Sequence, residues 1–286
     1  MINFELPEEL AEVQKLGHDA SPSREQQLKK TALRRGIIYG PVQSRRLGIS
    51  LGINLLPTRY KSCSFNCLYC QYAGTKKAMV APSEQLQDMP SIDAVATALE
   101  TTLVGFSRDH KMIDAISICG NGEPTLYPAL SEAIVTLKNL RDRYQPQARV
   151  VILSNSSTVG DPAVRTALEL LDLKIMKFDA GSEEMFRQLN HPTAPVYMGE
   201  IVAGLKQLNN SMFLQSCFVQ GRVTNADPDS VGIWIERIRE IHPLIVQVYS
   251  VECESADKRI EKVSLTTLQW IANEVRWHAG IASEAF

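Results

Sequence analysis

Ile113-Asp114-Ala115-Ile116-Ser117-Ile118-Cys119-Gly120-Asn121-Gly122-Glu123-Pro124 is the stretch on which the fold turns. A short apolar run rich in β-branched residues stops at a turn that only glycines make easily. Working outward, five more runs share this texture: Ile49–Leu56 before it, and Arg149–Ser154, Leu173–Phe178, Met212–Val219 and Leu244–Val251 after it. Helical patterns separate them, near 92–104, 129–143, 162–171, 183–190 with 197–209, and 229–241, and a last one follows near 265–279. Asp161-Pro162, Ser182-Glu183-Glu184 and Asp227-Pro228-Asp229 supply helix-start signals at three of these segments. Strands alternating with helices predict a parallel sheet, because parallel strands need crossover connections. Six such units without a dinucleotide-type glycine fingerprint suit an α/β fold of the partial (β/α)6 TIM-type barrel kind. The expected site is then the carboxyl end of the strands.

Residues 1–36 read differently, as two polar amphipathic helices broken near Ser21-Pro22-Ser23. The division expected is an N-terminal helical extension over 1–36 and a barrel domain over 37–286. The extension is also polarised. Residues 1–20 carry five acids and one lysine, net −4, whereas residues 21–46 carry seven bases and one acid, net +6. Two solvated faces of opposite sign explain this, and so does a basic patch for an anionic partner. Over all 286 residues the formal charge is −2, so no overall basic field for nucleic acid exists. No run approaches the ~18 apolar residues of a membrane span, and the acidic N-terminus does not suit a secretion signal. A cytoplasmic protein with no membrane partner is expected.

Three of the six cysteines fall in Lys61-Ser62-Cys63-Ser64-Phe65-Asn66-Cys67-Leu68-Tyr69-Cys70. In a reducing compartment such a cluster argues for metal rather than disulfides. Three thiolates on one loop hold three irons of a cubane and leave the fourth iron open to a small molecule. Electron carriers of the ferredoxin kind need four ligands, and structural zinc sites usually take four in spaced pairs. Nothing near this loop completes either set.

The C-x3-C-x2-C run, with aromatic Tyr69 before its last cysteine, resembles the signature of the radical S-adenosylmethionine (radical SAM) superfamily. The likeness spans residues 40 to about 251. It implies one [4Fe–4S] cluster on Cys63, Cys67 and Cys70, whose open iron is chelated by the methionyl amino and carboxylate groups of S-adenosylmethionine. It further implies reductive cleavage to a 5′-deoxyadenosyl radical that abstracts hydrogen from substrate, fed by a reductant such as flavodoxin or ferredoxin. Cys119-Gly120-Asn121-Gly122-Glu123-Pro124 is similar to the family's Gly-Gly-Glu element. There the glycines admit the methionyl group, and Glu123 or backbone accepts from its ammonium. Ser154-Asn155-Ser156 resembles the step that meets ribose or carboxylate, and reads equally as a polar turn. Lys177-Phe178-Asp179 places a charge pair at a strand end, either an ion pair or a ligand contact through Asp179. Gln215 is a further candidate for the carboxylate.

Gly40-Pro41-Val42-Gln43-Ser44-Arg45-Arg46-Leu47-Gly48, with Gly52-Ile53-Asn54 and Cys70-Gln71-Tyr72, is similar to a subgroup placed with wyosine-forming tRNA enzymes. Those enzymes bind a second cluster through upstream cysteines, and residues 1–62 contain none. Arg45 and Arg46 are candidates to clamp a substrate phosphate or carboxylate, or to brace the loop by ion pairs. Cys119, Cys217 and Cys253 read as small buried thiols. The expectation is therefore a radical SAM enzyme acting on an RNA base, a protein or peptide side chain, or an anionic molecule. A non-enzymatic four-iron electron carrier or iron sensor is the rival, which needs neither the open iron nor the Gly120–Glu123 element.

Overall fold

A computed structural model describes residues 33–72, 75, 77, 78, 88–208, 211–251, 257 and 259–286. Its main sheet begins with β1 (Ile38–Ser44), which turns back antiparallel on β2 (Gly48–Ile53). From β2 the order runs through β5 (Ala115–Ile118), β6 (Arg149–Ser154), β7 (Leu173–Lys177), β8 (Phe213–Gly221) and β9 (Ile245–Ser250) to β11 (Ala282–Ala285), every pair parallel. Short β10 (Ile260–Lys262) lies antiparallel to β8, and β3 (Ser62–Cys63) pairs with β4 (Lys77–Ala78) apart from the main sheet. The sheet is open: β1 and β11 are its edges.

Helices form where the start signals stand. Ser91 caps α1 (Ile92–Arg108), which buries Val95, Leu99 and Leu103 at helical spacing. α2 (Leu130–Tyr144) follows β5; α3 (Pro162–Leu168), α4 (Glu183–Asn190) and α6 (Pro228–Ile241) are capped by Asp161, Ser182 and Asp227, and α5 (Met198–Lys206) leads into β8. α7 (Leu265–Glu274) passes into one π-helical turn, Val275–Ala279, before β11.

The strands divide their residues between two cores. Ile116, Ile118, Val150, Ile152, Met176, Leu214, Val246 and Val248 pack outward on the helices. Their alternates near the amino ends, Ala115, Val151, Leu173, Ile175, Phe213 and Ile245, close on Leu47 in a separate inner cluster. Toward the carboxyl ends the inner face turns polar, with Ser50 Oγ and Ser117 Oγ 2.6 Å apart and Gln215 donating to Gln247 at 3.1 Å. The inner space is thus apolar and filled below, polar and receptive above.

All six expected strands are present, and β11 adds a seventh parallel strand that four residues of mixed polarity did not announce. β1 was also missed, since Gly40 and Pro41 interrupt its alternation and its edge position leaves it exposed. The N-terminal extension lies outside the described residues except for its end. There the second helix, expected to run to Gly36, is corrected: residues 33–36 are irregular. The Asn121 side chain takes both Arg34 backbone groups, accepting from its N–H at 2.7 Å and donating to its carbonyl at 2.9 Å, in place of helical partners. No helix among the described residues is long and apolar enough to cross a membrane.

Asp172, just before β7, ties α2 to β6. Its carboxylate accepts from Val150 N–H at 2.7 Å, Arg141 Nη1 at 2.7 Å and Lys138 Nζ at 2.9 Å. Burial alone would raise its pKa, but these donors outweigh it and hold the group below the usual carboxylate range. A depressed folded pKa stabilises the fold above the unfolded value of about 3.9 and loses that contribution as pH falls through the folded value. Asp172→Ala should cost about 3 kcal/mol in urea denaturation at pH 7. The difference from wild type should shrink below about pH 4.

Candidate active site

The cysteine loop is fixed from two sides at the carboxyl end of the sheet. On one side Ser62 N–H donates to Asn121 O at 2.9 Å and Glu123 N–H donates to Ser62 O at 3.1 Å. This approach needs Gly122, whose φ is +144° and where a Cβ would fall 1.6 Å from Ser62 O. On the other side Asn66 and Leu68 N–H donate to carbonyls at the end of α4, and Thr193 N–H donates to Ser64 O at 2.8 Å. Phe65 anchors the loop beneath, edge-on to Phe186 of α4 with ring centroids 5.3 Å apart.

Two asparagines, one after the end of β6 and one at the end of α4, meet the sulfurs. Asn155 Nδ2 approaches Cys63 Sγ at 3.5 Å and bonds Ser64 Oγ at 3.0 Å. Asn190 Nδ2 approaches Cys67 Sγ at 3.5 Å and bonds Asp179 at 2.8 Å and Tyr69 Oη at 3.1 Å. N–H donors aimed at sulfur favour thiolate over thiol. Burial nevertheless pushes the Cys63 thiol up to about 12 and the Cys67 thiol up to about 11. These groups therefore carry protons until a metal displaces them.

Lys61 bears directly on what the loop can hold. It is 4% exposed, and burial by itself would lower its pKa. The charges of Cys70, Cys63 and Cys67 act on it together and raise it instead. A buried ammonium that feels these three neighbouring cysteines favours their ionised, ligating form over the neutral one. Among the described residues no group of His, Cys, Asp and Glu is arranged to hold a single metal ion. In a cubane each thiolate sits on a separate iron, and Lys61 and the two asparagine N–H groups would offset the negative charge of the ligating thiolates. The residues present fit a cluster of that kind.

Glu123 is 1% exposed and fully engaged. One carboxylate oxygen accepts from Thr125 N–H at 3.1 Å, Thr125 Oγ1 at 2.6 Å and Ser154 Oγ at 2.8 Å, and the other from Asn155 N–H at 2.5 Å. Burial raises its pKa while these bonds oppose the rise. It thus braces the turn after β5 against the end of β6, which in turn aims Asn155 at Cys63. Asn121 points away, with Nδ2 on Arg34 O and Pro57 O. Gly120 lies against Asn54, whose Oδ1 accepts from Asn121 N–H at 3.0 Å.

Lys177 and Asp179 form an ion pair at 3.1 Å, with side-chain exposures of 19% and 2%, so the charge pair is an inner one. Tyr69 Oη donates to Asp179, and Lys177 lies over the rings of Tyr69 and Tyr249 at 4.9 and 4.8 Å. Burial works against the lysine's charge, but Asp179 and Tyr249 hold its pKa above the ordinary value. Phe65, Asn155, Lys177, Asp179, Phe186 and Asn190 line a crevice beside the cysteine loop. Gln215 sits deeper, paired with Gln247.

Arg45 and Arg46, in the turn between β1 and β2, part company. Arg45 is exposed. Arg46 turns inward over Tyr249 at 4.6 Å and Phe286 at 5.5 Å, with its Nη1 buried and without a hydrogen-bond partner. Of the scattered cysteines, Cys119 and Cys217 lie on the inner face and Cys253 lies outside the described residues. Asn190 and Lys61 were missed. Asn190 ends an ordinary amphipathic helix, and Lys61 reads as a surface charge until its burial is known.

No family model matches the chain. It is 34% identical over 176 residues to "GTPase Obg" of Brachyspira hyodysenteriae, covering 62% of this chain and 24% of that protein. It is 30% identical over 204 residues to a "UPF0026 protein" of Helicobacter pylori, covering 64% of this chain and 62% of the relative. The chain thus spans less than two thirds of both relatives. Among solved structures, a radical SAM methyltransferase from Sphaerobacter thermophilus superposes with a TM-score of 0.61 at 12% identity, over 83% of this chain and 65% of that one. Streptococcus suis SuiB bound to S-adenosylmethionine gives 0.56 at 13%, over 82% and 50%. Archaeal TYW1 gives 0.53 at 13%, over 80% and 72%. The fold is that of the radical SAM enzymes, an α/β partial barrel, as the cysteine motif led one to expect.

If Glu123 is a brace, Glu123→Ala should destabilise even the metal-free protein, by about 3 kcal/mol in urea denaturation, because Ser154, Thr125 and the Asn155 N–H lose a buried acceptor. Unchanged stability would leave Glu123 with no structural part to play.

Proposed function

We propose that this chain is a radical SAM enzyme whose Cys63, Cys67 and Cys70 hold one [4Fe–4S] cluster and which cleaves S-adenosylmethionine reductively. The observation that carries the reading is the buried Lys61 ammonium among three loop thiols, two of them met by asparagine N–H groups. When bound, the cluster supplies one electron, passed from a reductant of the flavodoxin or ferredoxin kind, that breaks a carbon–sulfur bond of the cofactor and yields a 5′-deoxyadenosyl radical.

The chain's own residues bind and orient. Gly120 and Gly122 present backbone without side chains at the strand ends, where the cofactor's amino acid moiety would lie. The Glu123 brace sets Asn155, and the Asp179 brace sets Tyr69 and Asn190. Preorganised donors at the sulfurs favour the charged thiolates without reorganisation at the moment of reaction. Buried Phe65, Phe178 and Phe186 supply apolar walls that strengthen the electrostatic contacts inside and offer a radical no weak S–H or O–H bond. Arg34 and Arg46, each with a buried guanidinium nitrogen that has no hydrogen-bond partner, support an anionic substrate, such as a nucleotide of RNA or an acidic group of a protein or small molecule. In this reading Arg46 is the substrate-side arginine.

After anaerobic reconstitution the protein should bind about four irons per chain. Cys63→Ala, Cys67→Ala or Cys70→Ala should abolish this, whereas Cys217→Ala should not. With dithionite and S-adenosylmethionine, chromatography should detect 5′-deoxyadenosine and methionine in equal amounts. A reduced, iron-loaded protein that never cleaves the cofactor would sink the reading.

A further inference from the structure

A thiol–phenol pair stands on the inner face beside the cysteine loop. Cys119 Sγ and Tyr39 Oη are 2.8 Å apart. Cys119 continues the inward series Ala115, Ser117, whereas Ile116 and Ile118 face the helices. It sits immediately before the Gly120–Glu123 turn; its thiol donates at 3.6 Å to Ser117 O, and the phenol, which also donates at 3.3 Å to Cys119 O, can share its proton with the sulfur in either direction. Tyr39 arrives from β1 because Gly52 makes room. A Cβ at Gly52 would fall 2.1 Å from the phenol ring.

The surroundings fit a redox role better than a packing role. The Arg34 guanidinium lies over the Tyr39 ring at 4.3 Å, and its buried Nε has no hydrogen-bond partner. The pair borders the cysteine loop through the backbone, since the turn that follows Cys119 exchanges hydrogen bonds with Ser62. Burial, then Cys119, pushes the Tyr39 phenol far above its ordinary range. The phenol therefore keeps its proton, so that its oxidation in this buried position is favoured as the loss of an electron and a proton together.

We propose that Cys119 and Tyr39 are a hydrogen-atom donor pair that quenches a carbon radical formed in the inner space. The inference rests on the radical reading above. In the first step the Cys119 S–H bond breaks and a C–H bond forms, leaving a thiyl radical. This is downhill because S–H bonds are weaker than most C–H bonds. In the second step the Tyr39 O–H bond breaks, the thiol is restored and a phenoxyl radical remains. One electron from the same reductant and one proton from solvent return the phenol. The reaction class implied is one in which the substrate radical ends by gaining a solvent-derived hydrogen, so that an additional reducing equivalent is consumed.

The test needs no identified substrate. Reconstituted enzyme is reduced with dithionite in D2O containing S-adenosylmethionine and no added thiol, and 5′-deoxyadenosine is analysed by mass spectrometry. Wild type should yield product carrying one deuterium, taken from the exchanged thiol. Cys119→Ala and Cys119→Ser should yield unlabelled product, since a serine O–H bond is too strong to donate to a carbon radical. Tyr39→Phe should label only about the first equivalent per chain, because the thiyl is no longer restored. Label that persists in Cys119→Ser, or is missing from wild type, overturns the pair. If no 5′-deoxyadenosine forms from iron-loaded protein, the radical reading falls and the pair falls with it. The metal-free protein provides a separate readout. Its Cys119 S–H infrared band, found as the difference from Cys119→Ser, should shift in Tyr39→Phe, and an unmoved band also counts against the pairing.

Discussion

Everything at the site depends on one close approach of backbone to backbone, Ser62 against the turn after β5. The two exchange hydrogen bonds across a gap that admits no Cβ at Gly122. That contact converts a loop that could sit anywhere into one fixed over the carboxyl ends of the strands. The cost of ordering the loop is shared among many backbone bonds on both flanks, so no single side chain has to hold the cysteines.

Two carboxylates extend this order into the inner space. Glu123 joins the ends of β5 and β6, and Asp179 joins the end of β7 to β8, to α4 and to the loop itself through Tyr69, Asn190 and Cys217 N–H. Each is buried and surrounded by donors, which is the condition under which an interior carboxylate is tolerable. Each also sets one asparagine against one sulfur. The two halves of the site therefore follow the same rule: a strand end supplies an acid, the acid is saturated by neighbours, and one of those neighbours serves the cysteine loop.

Much of this was legible in the chain. The six central strands and their helices could be read because buried parallel strands are short continuous apolar runs and the crossover helices begin on Asp, Ser and Pro. The cysteine loop could be read because its chemistry is local. What escaped was non-local. β11 is recognisable only from its pairing with β9, and Lys61 and Asn190 acquire meaning only from what the fold packs against them. Arg45 and Arg46, adjacent in sequence and alike in charge, were read together, as a clamp or as a brace. The tight turn between β1 and β2 sends one outward and the other over Tyr249. Asp179 could be read only as either an ion-pair partner or a ligand contact, and Glu123 only as one of several acceptors, because their saturation by internal donors is not visible in the chain.

The apolar cluster of Leu47, Ala115, Val151, Leu173, Ile175, Phe213 and Ile245 has a topological consequence. It stoppers the amino end of the strands, so the space above it is a blind cup rather than a tunnel. Nothing passes through that floor, so among the described residues the space is bordered by the carboxyl ends of the strands and by the two sheet edges, β1 and β11. Under the proposed reading, a substrate would enter from the carboxyl side and its product would leave without passing the apolar floor.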